Sequence, residues 1–235
     1  MSNAKKKIIA LLPMKANSTR VQGKNFRNFC GKPLFRWVLD SLLAVEEIDK
    51  VIINTDARRI LIENGLVETN RIQIRDRKEE IRGDDVSMNL ILADDIANID
   101  ADVYLMTHTT NPLLSVTTIS RAITEFLVAQ DAKIADSLFT VNKIQTRFYR
   151  EDCSPINHDP NNLVPTQNLE PWYEENSNLY LFTRESFAKT NARIGKKPIM
   201  MVTPAIESSD IDTPDDWDRA VVTAHYLLQK GLIGL

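Results

Sequence analysis

The residues best suited to chemistry form a cationic loop directly after the first apolar segment. Residues 13–25 read PMKANSTRVQGKN and contain three cations, Lys15, Arg20 and Lys24. Backbone amides of such a loop, together with lysine and arginine side chains, can bind phosphate groups. A solvated surface loop would have a similar composition, so a phosphate site and an ordinary loop are the two interpretations of this segment.

The loop differs from the Walker phosphate loop of ATPases. A Walker loop needs a glycine five positions before its Gly-Lys pair and a serine or threonine directly after it. Ser18 and Asn25 occupy those two positions here. Phosphate binding by this loop would therefore follow a different pattern from that of an ATPase.

Two aspartates near the C-terminal end form a candidate metal site. Asp210 and Asp212 are spaced i, i+2, so in an extended segment both carboxylates point the same way. Such a pair suits Mg²⁺ held between protein and phosphate oxygens. The alternative is a helix start at 213–216, where threonine serves as the N-cap and proline comes first. Capping explains residues 213–216 but gives Asp210 no role, which favours the metal pair.

Alternating strands and helices must position these loops. Such alternation predicts an α/β fold with a mostly parallel sheet covered on both faces, and ligands beyond the carboxyl ends of its strands. The functional loops are then 13–25, 54–56, 76–88 and 107–114. Apolar periodicity predicts strands at 8–12, 50–56, 71–75, 101–107, 137–141, 178–183 and 198–204, and helices at 34–45, 57–65, 86–99, 117–130 and from Pro214 onward.

The alternation stops after about residue 142. Residues 143–176 are rich in Asn, Pro and charge, yet they carry aromatic side chains, in which unfolded chains are usually poor. We expect an arm that packs on another surface, such as a second subunit. The domain prediction is one domain over residues 5–235 with an inserted arm at 143–177.

Composition excludes several classes of protein. The 235 residues suit one large domain, and a net charge of −3 argues against a nucleic-acid binder. Cys30 and Cys153 form no CxxC pair, so neither a zinc site nor a disulfide scaffold is indicated. The chain has no apolar run of roughly 20 residues, and no secretory-signal h-region follows its first lysines, which predicts no membrane association and a cytoplasmic location. The sequence of residues 1–4 is typical of a cloning remnant, so no functional inference rests on it.

The loop over 13–25 resembles a family signature. Its pattern P-x-[RK]-x-x-S-x-x-x-x-x-K-N is similar to that of the sugar-acid cytidylyltransferases, the CMP-sialic acid synthetase family. Its S-T-R-V-x-G-K portion also resembles the S-x-R-L-P-G-K of CMP-Kdo synthetases. Further segments resemble family motifs in the same order: GKPL (31–34), INTDARRI (53–60), THTTNPLL (107–114), WYEENSNLYLF (172–182) and SSDIDTPDDW (208–217).

The resemblance implies a fold and a reaction. The fold is a Rossmann-like nucleotidyltransferase sheet with a dimerisation arm, and hence a homodimer. The enzyme would transfer CMP from CTP to a 2-keto sugar acid, such as sialic acid or a related nonulosonic acid, with Mg²⁺ as cofactor and release of pyrophosphate. Protein groups would then act by positioning and charge neutralisation more than by covalent chemistry.

The resemblance also implies roles for individual residues. RDRKEEIRGDDVS (75–87) is similar to the base-contacting segment of the family, although an ordinary charged loop before a helix would look alike. The implied catalytic residues are Lys24, Lys15, Arg20 and Asp212, and the metal ligands are Asp210 and Asp212. The implied nucleotide-binding residues are Pro13, Met14, Lys15, Ser18, Arg20, Lys24, Asn25, Arg77, Val86 and Ser87. The implied sugar-binding residues are His108, Thr109, Thr110, Gln167, Asn176, Lys143 and Arg147.

The chain departs from the family pattern mainly where the sugar would bind. His108 stands where the family usually has glutamine; a sugar-contacting role is favoured over that of a general base, which stays open. NSN at 176–178 replaces the family's NGA, and Pro165-Thr166 stands where arginine is common. Lys15 replaces the usual arginine, keeping the charge but losing the bidentate fork. The cations of the arm, Lys143 and Arg147, could equally be solvated.

Other functions fit parts of the same pattern. A Kdo-type cytidylyltransferase would carry a similar loop. A GT-A-like glycosyltransferase also uses an Asp-x-Asp near Mg²⁺ but would not need the 13–25 signature. A non-catalytic nucleotide-sugar sensor could keep the fold, although the presence of Lys24, Asp210 and Asp212 argues against lost catalysis.

Overall fold

The computed structural model describes residues 5–234, and these are built around one large sheet. Residues 1–4 and Leu235, the last residue of the predicted domain, lie outside the described residues. The strands are β1 (Ile8–Leu11), β2 (Asn28–Phe29), β3 (Lys32–Pro33), β4 (Lys50–Thr55), β5 (Ile72–Asp76), β6 (Val103–Met106), β7 (Ser137–Ile144), β8 (Trp172–Phe182) and β9 (Pro198–Val202). The sheet has seven strands in the order β5-β4-β1-β6-β8-β7-β9, and β2 pairs with β3 in a separate ribbon.

The strands of the large sheet are mostly parallel. β1 pairs in parallel with β4 and β6, β4 with β5, and β7 with β9. Among the described strands, β8 runs antiparallel to its neighbours β6 and β7. The predicted α/β fold with a mostly parallel sheet is therefore confirmed. The carboxyl ends of β1, β4, β5 and β6 meet at one edge of the sheet, and the first half of β8 reaches the same edge.

Helices cover both faces of this sheet. Because side chains alternate along a strand, Ile8 and Ala10 of β1 belong to one apolar cluster while Ile9 and Leu11 belong to another. The helices are α1 (Leu34–Ala44), α2 (Arg58–Glu63), α3 (Met88–Asn98), α4 (Val116–Asp131), α5 (Arg184–Thr190) and α6 (Pro214–Gln229). The first cluster includes residues of α1 and α4, and the second includes residues of α3 and α5. Every helix within residues 5–234 is too short or too polar to span a lipid bilayer.

A third apolar cluster ties the C-terminal helix α6 to the ribbon β2–β3. The Phe29 ring lies edge-on to Trp37 at 5.8 Å and to Trp217 at 5.5 Å between ring centroids. Both tryptophans are buried. This packing brings the segment before α6, which carries Asp210 and Asp212, against the loop that follows β1.

The boundaries differ from the predictions at several places. Helix α3 begins at Met88, two residues later than expected, because the Ser87 hydroxyl caps it by accepting from the Asn89 backbone N–H. Helix α5 was not predicted, although Thr183 and Ser186 form a capping box at its start.

The irregular part of the predicted arm at 143–177 is shorter than expected. β7 extends to Ile144 and β8 begins at Trp172, and these two residues pair. Residues 145–171 connect the strands, and Phe148 stacks on Trp172 at 4.8 Å between ring centroids. The predicted role of the arm in dimerisation stays a prediction.

Candidate active site

A cavity of about 350 Å³ opens at the edge where the parallel strands end. Loops after β1, β5 and β6 line it, together with one residue of β8 and the segment before α6. The predicted site residues that line it are Pro13, Met14, Lys15, Ser18, Arg20, Lys24, Asn25, Arg77, Val86, His108, Thr109, Thr110, Asp210 and Asp212. Residues distant in sequence, predicted separately for phosphate, base, sugar and metal, thus share one cavity.

The loop after β1 is fixed to the sheet by a buried arginine. The Met14 backbone N–H donates to the Asn54 carbonyl at 3.1 Å, continuing the pairing of β1 with β4. Arg77 donates to the Met14 carbonyl at 3.1 Å and, through Nε, to the Asn54 side chain at 2.9 Å. Burial lowers the pKa of Arg77, and nearby Asp56 partly offsets this. Arg77 therefore anchors the loop as well as lining the cavity.

Asn25 joins the loop to the segment after β6. Its Nδ2 donates to the Lys15 carbonyl at 2.9 Å, and its Oδ1 accepts from the Thr109 hydroxyl at 2.7 Å. Because both ends of the amide bond to protein, Asn25 sets the shape of the cavity. The preceding Gly23 has a φ of 61°, a left-handed conformation that suits glycine and turns the chain so that Lys24 faces inward.

Two of the three cations converge on one carboxylate. Arg20 lies 3.0 Å and Lys24 3.3 Å from the Asp212 carboxylate, and Lys24 also donates to the Ile211 carbonyl. Lys24 is buried, which lowers its pKa, while Asp212 acts in the opposite direction. These contacts hold two positive side chains next to each other, as binding of a multiply charged anion requires.

Lys15 lies on the other side of the cavity. It forms an ion pair with Asp84, which also lines the cavity and was not predicted. Both side chains are substantially exposed, so this pair contributes little to stability and can exchange partners when a ligand binds.

Asp210 is a buried carboxylate whose hydrogen bonding is incomplete. Its Oδ1 atom is buried without a hydrogen-bond partner among the described residues, and burial raises its pKa, an effect that the Thr110 side chain opposes. A buried carboxylate oxygen without a donor is costly unless a cation compensates it. Within residues 5–234, no group of three or more His, Cys, Asp or Glu side chains is arranged around a metal position. A hard cation at the pair Asp210 and Asp212 would need further oxygen ligands from phosphate or water, which is usual for Mg²⁺.

The helix start after this pair agrees with the capping interpretation of 213–216. The Thr213 hydroxyl and the Asp216 carboxylate form a capping box, and Asp216 also accepts from the Asp212 backbone N–H at 3.2 Å. Hydrogen bonds from Thr213 lower the pKa of Asp216 to about 2. The cap leaves the side chains of Asp210 and Asp212 directed to the cavity, so the two interpretations apply to different residues.

His108 lies just after strand β6 and lines the cavity with a neutral side chain. Its Nε2 lies 3.3 Å from Nη1 of Arg193, a residue that was not predicted for the site. Burial, with the charge of Arg193 as the next cause, lowers the pKa of His108 to about 3. So weak a base accepts protons poorly near pH 7. The predicted binding role therefore agrees better with this geometry than the role of a general base.

Comparison with known proteins decides the family. Residues 9–216 match the family model described as Cytidylyltransferase. The chain belongs to the cytidylyltransferase family. The predicted family resemblance and the predicted nucleotidyltransferase class are thereby confirmed.

Similarity to individual proteins extends over nearly the whole chain. The cytidylyltransferase is 25% identical over 226 residues to a CMP-N,N'-diacetyllegionaminic acid synthase of Legionella pneumophila, covering 90% of this chain and 93% of that protein. It is 22% identical over 247 residues to a 3-deoxy-manno-octulosonate cytidylyltransferase of Christiangramia forsetii, covering 92% and 96%. Its fold is similar to the structure of a CMP:2-keto-3-deoxy-manno-octonic acid synthetase complexed with CTP, with a TM-score of 0.65, 15% identity and coverage of 94% and 99%.

Several predicted residues do not line the cavity of the cytidylyltransferase chain. Ser87 caps α3. Asn176 is buried and donates to Thr203 at 2.6 Å. Arg147 donates to the Val164 carbonyl at 2.6 Å, within the arm. Lys143 is a residue of β7, and Gln167 lies in a short 3₁₀ turn of the arm. These five residues are therefore not among those that line the cavity.

Other residues of the cytidylyltransferase line the cavity although the sequence did not single them out. They are Thr19, Gly83, Asp84, Met88, Ile91 and Ser177. Ser177 has a φ of 57°, and the pairing of β7 with β8 shifts at this point, from Val141 opposite Glu175 to Phe139 opposite Tyr180. The bulge directs Ser177 into the cavity. The sequence did hold one signal for Ser177, which stands where the family's NGA motif has glycine. A glycine at that position indicates a left-handed backbone.

Proposed function

We propose that this cytidylyltransferase transfers CMP from CTP to a 2-keto sugar acid of the nonulosonic type and releases pyrophosphate. The observation that carries the proposal is the shared cavity. It combines Lys15, Arg20 and Lys24 with the carboxylates of Asp210 and Asp212 at the carboxyl edge of the sheet. Triphosphate needs such a cluster of cations, and a sugar acid needs adjacent polar groups.

The proposed reaction is attack of the anomeric hydroxyl of the sugar acid on the α-phosphate of CTP. Lys24 and Arg20 are held side by side by Asp212, so they can neutralise charge on the phosphates as pyrophosphate leaves. Lys15 can exchange its exposed partner Asp84 for a phosphate oxygen. Arg77 and Asn25 keep the loop in place during this exchange. Such fixed groups require no reorganisation at the moment of reaction.

Mg²⁺ is the proposed cofactor, held by Asp210 and Asp212. The buried Oδ1 of Asp210 supports this role, because a cation would supply the missing partner. Asp210 and Asp212 would hold the metal, which would supply positive charge to stabilise the charge that develops on the phosphates.

The nature of the sugar acid is proposed from the relatives. The named substrates of the two relatives are a legionaminic acid derivative and 3-deoxy-manno-octulosonate, both sugar acids. The former relative supports a nonulosonic acid; the latter supports a Kdo-type acid as the second candidate. His108 and Ser177, at the proposed sugar end, depart from the family pattern, so the substrate has to be found by direct comparison.

We also propose that the enzyme is a homodimer formed through the arm and located in the cytoplasm, where CTP is made. The arm and the adjacent part of β8 expose large apolar side chains, including Leu163 at 66% and Tyr173 at 44%. A second subunit would bury these side chains and could bring Lys143, Arg147 and Gln167 near the cavity of its partner. Light scattering of the wild type and of Leu163→Glu tests this: the wild type should have the mass of two chains and the variant that of one.

The function is tested by pyrophosphate release with a panel of sugar acids. Wild-type enzyme with CTP and Mg²⁺ is incubated separately with sialic, legionaminic, pseudaminic and Kdo acids. Release with at least one nonulosonic acid, and little with Kdo, supports the proposal, whereas the reverse order favours the Kdo-type candidate. Absence of release with all four acids would refute it. Calorimetry then separates a sensor, which binds CTP without turnover, from a GT-A-like glycosyltransferase, which prefers a UDP- or GDP-sugar.

A further inference from the structure

Arg193 lies beside His108 and is held by contacts with strand β8 and helix α3. Its guanidinium carbon stands 3.7 Å from the centre of the Tyr180 ring, and its Nη2 donates to the Tyr180 hydroxyl at 2.9 Å. The Glu175 carboxylate lies 3.4 Å from the same Nη2, and the Arg193 backbone N–H donates to Asn89 of α3 at 3.3 Å. With only 20% of its side chain exposed, Arg193 has one defined position.

This position determines which nitrogen of His108 carries the proton. A guanidinium group can only donate hydrogen bonds. Nε2 of His108, 3.3 Å from Nη1 of Arg193, must therefore accept and carry no proton. A neutral imidazole then holds its single proton on Nδ1, whereas free histidine prefers to hold it on Nε2. The other charged groups that act on the ring, Asp212 and Lys24, have opposite signs.

The remaining nitrogen of His108 is available to a ligand. His108 is partly exposed and lines the cavity, and among the hydrogen bonds of residues 5–234 the ring bonds through Nε2 to Arg193 and not through Nδ1. We propose that Arg193 is a positioning residue, which holds His108 as a neutral Nδ1–H donor to an oxygen of the sugar acid.

This arrangement has a consequence for recognition. A glutamine at the same place could turn its amide to donate or to accept, whereas His108 with Arg193 beside it can only donate from Nδ1. The site would therefore favour a sugar acid with a hydroxyl, carbonyl or carboxylate oxygen at this point, and disfavour one that presents only a donor. Arg193 thus acts through His108 and needs no contact of its own with the substrate. The inference rests on the proposed function for the identity of the ligand but not for the tautomer.

The tautomer is tested by ¹⁵N resonances of histidine in the free enzyme. The chain has 3 histidines, and His108→Gln identifies the signal that belongs to His108. We expect a pyrrole-like shift for Nδ1 and a pyridine-like shift for Nε2. In Arg193→Met, which keeps an apolar chain over Tyr180, the ring should revert toward the Nε2–H form. Arg193→Lys should retain part of the Nδ1–H form. An Nε2–H ring in the wild type, or no change in Arg193→Met, would overturn the inference.

The effect on recognition is tested by steady-state kinetics. Arg193→Met should raise KM for the sugar acid about tenfold, the value of one hydrogen bond of about 1.4 kcal/mol. KM for CTP should stay within about twofold, and Arg193→Lys should recover part of the loss. The double variant Arg193→Met/His108→Ala should be no worse than His108→Ala alone, because both changes remove the same donor. Arg184→Met is the matched control, since Arg184 also donates to a tyrosine hydroxyl, that of Tyr104, but away from the cavity.

The possible outcomes separate this inference from the proposed function. If the tautomer reverts in Arg193→Met but no sugar acid is turned over by the wild type, the positioning of His108 by Arg193 stands and the proposed substrate class is wrong. If a sugar acid is turned over and Arg193→Met leaves its KM unchanged, or raises both KM values equally, the role of Arg193 in sugar recognition is wrong.

Discussion

The two ends of the cavity are built in different ways. The end that we propose for the nucleotide takes most of its groups from one loop, residues 13–25, completed by Asp210 and Asp212. The end that we propose for the sugar takes His108 from the segment after β6 and Ser177 from a bulge in β8, with Arg193 beside them from the connection after α5. A continuous loop keeps its charges adjacent whatever the surrounding sequence, whereas the sugar end depends on three separate elements. We therefore expect substitutions at the proposed sugar end to affect sugar binding separately from nucleotide binding.

The largest effect that would sharpen this comparison is expected from Lys24→Ala. Loss of a buried cation at the phosphates should lower kcat/KM about 100- to 1000-fold with every sugar acid. Stability should change little, because burial already lowers the pKa of Lys24 and Asp212 keeps Arg20 as a partner. Initial rates and urea denaturation check both statements. Lys189→Ala, at an exposed lysine paired with Glu185, is the control and should be neutral. A Lys24→Ala enzyme with unchanged kcat/KM would break the assignment of this end to the triphosphate.

Asp210→Asn should separate stability from activity at the same end. Burial raises the pKa of Asp210, so ionisation of this carboxyl destabilises the folded protein. The protonated carboxyl stabilises the fold at pH values below its ordinary pKa, and this stabilisation is lost as the pH rises. The variant should therefore be more stable than wild type at pH 7.5, with a difference that shrinks toward pH 4. Its activity should fall at least about 100-fold.

The same variant tests the metal. Mg²⁺ with CTP should raise the melting temperature of the wild type, because a ligand that binds only the folded state stabilises it. The increase should be much smaller for Asp210→Asn. Equal increases for the two proteins would show that Asp210 does not hold the metal.

A buried network below the nucleotide end should give a pH-dependent stability. Burial raises the pKa of Asp95 to about 6. Arg75 lies 3.1 Å from the Oδ1 atom and opposes this rise. Its Nε atom is not aligned for a hydrogen bond, and the Oδ2 atom of Asp95 has no partner among the described residues. Protonated Asp95 therefore stabilises the fold fully below about pH 4, and this stabilisation is lost as the pH rises through about 6. Asp95→Asn keeps the bond from Asn54, so between pH 4 and pH 7 it should gain about 3 kcal/mol relative to wild type. Urea denaturation across this range checks it, and parallel pH curves for the two proteins would contradict it.

The smallest effect is expected at the bulge of the sugar end. Ser177 has a φ of 57°, which costs a non-glycine residue about 1 kcal/mol. Ser177→Gly should therefore raise the free energy of unfolding by up to about 1 kcal/mol while changing KM for the sugar acid and not for CTP. Ser154→Gly, in the arm, is a control. A change in KM for CTP instead would break the division of the cavity into two ends.

The sequence allowed much of the fold to be predicted, because its signals are local. The apolar runs of β1, β4 and β6 and the periodicity of α1 and α4 appear in the structure within a few residues of the expected bounds. The extension of β7 and β8 into the arm was missed, since most of its residues are polar or charged. Pairs such as Asn142 with Glu174, 3.0 Å apart, stabilise it across the strands, and such pairs are visible only once the register is known.

The candidate site was predictable to the extent that its residues occur in motifs. The cationic loop and the Asp-x-Asp pair are contiguous, so their sharing of one edge follows from the α/β alternation. Arg193 could not be found, because its only signal is a contact with His108 between segments 85 residues apart. Asn176 was assigned to the sugar from its motif, whereas in the structure it is buried among Asn142, Thr203 and Ser208.

Transfer of label from CTP tests the central claim most directly. Wild-type enzyme is given Mg²⁺, a nonulosonic acid and CTP labelled at the α-phosphate, and the products are then separated. One control replaces CTP with UTP labelled in the same way, and another leaves out the sugar acid. The account predicts that the α-label moves into a product that also contains the sugar acid, in equal amount to the pyrophosphate released, and only when both substrates are present. Label that stays in CTP, or appears as free CMP with no sugar attached, would contradict it.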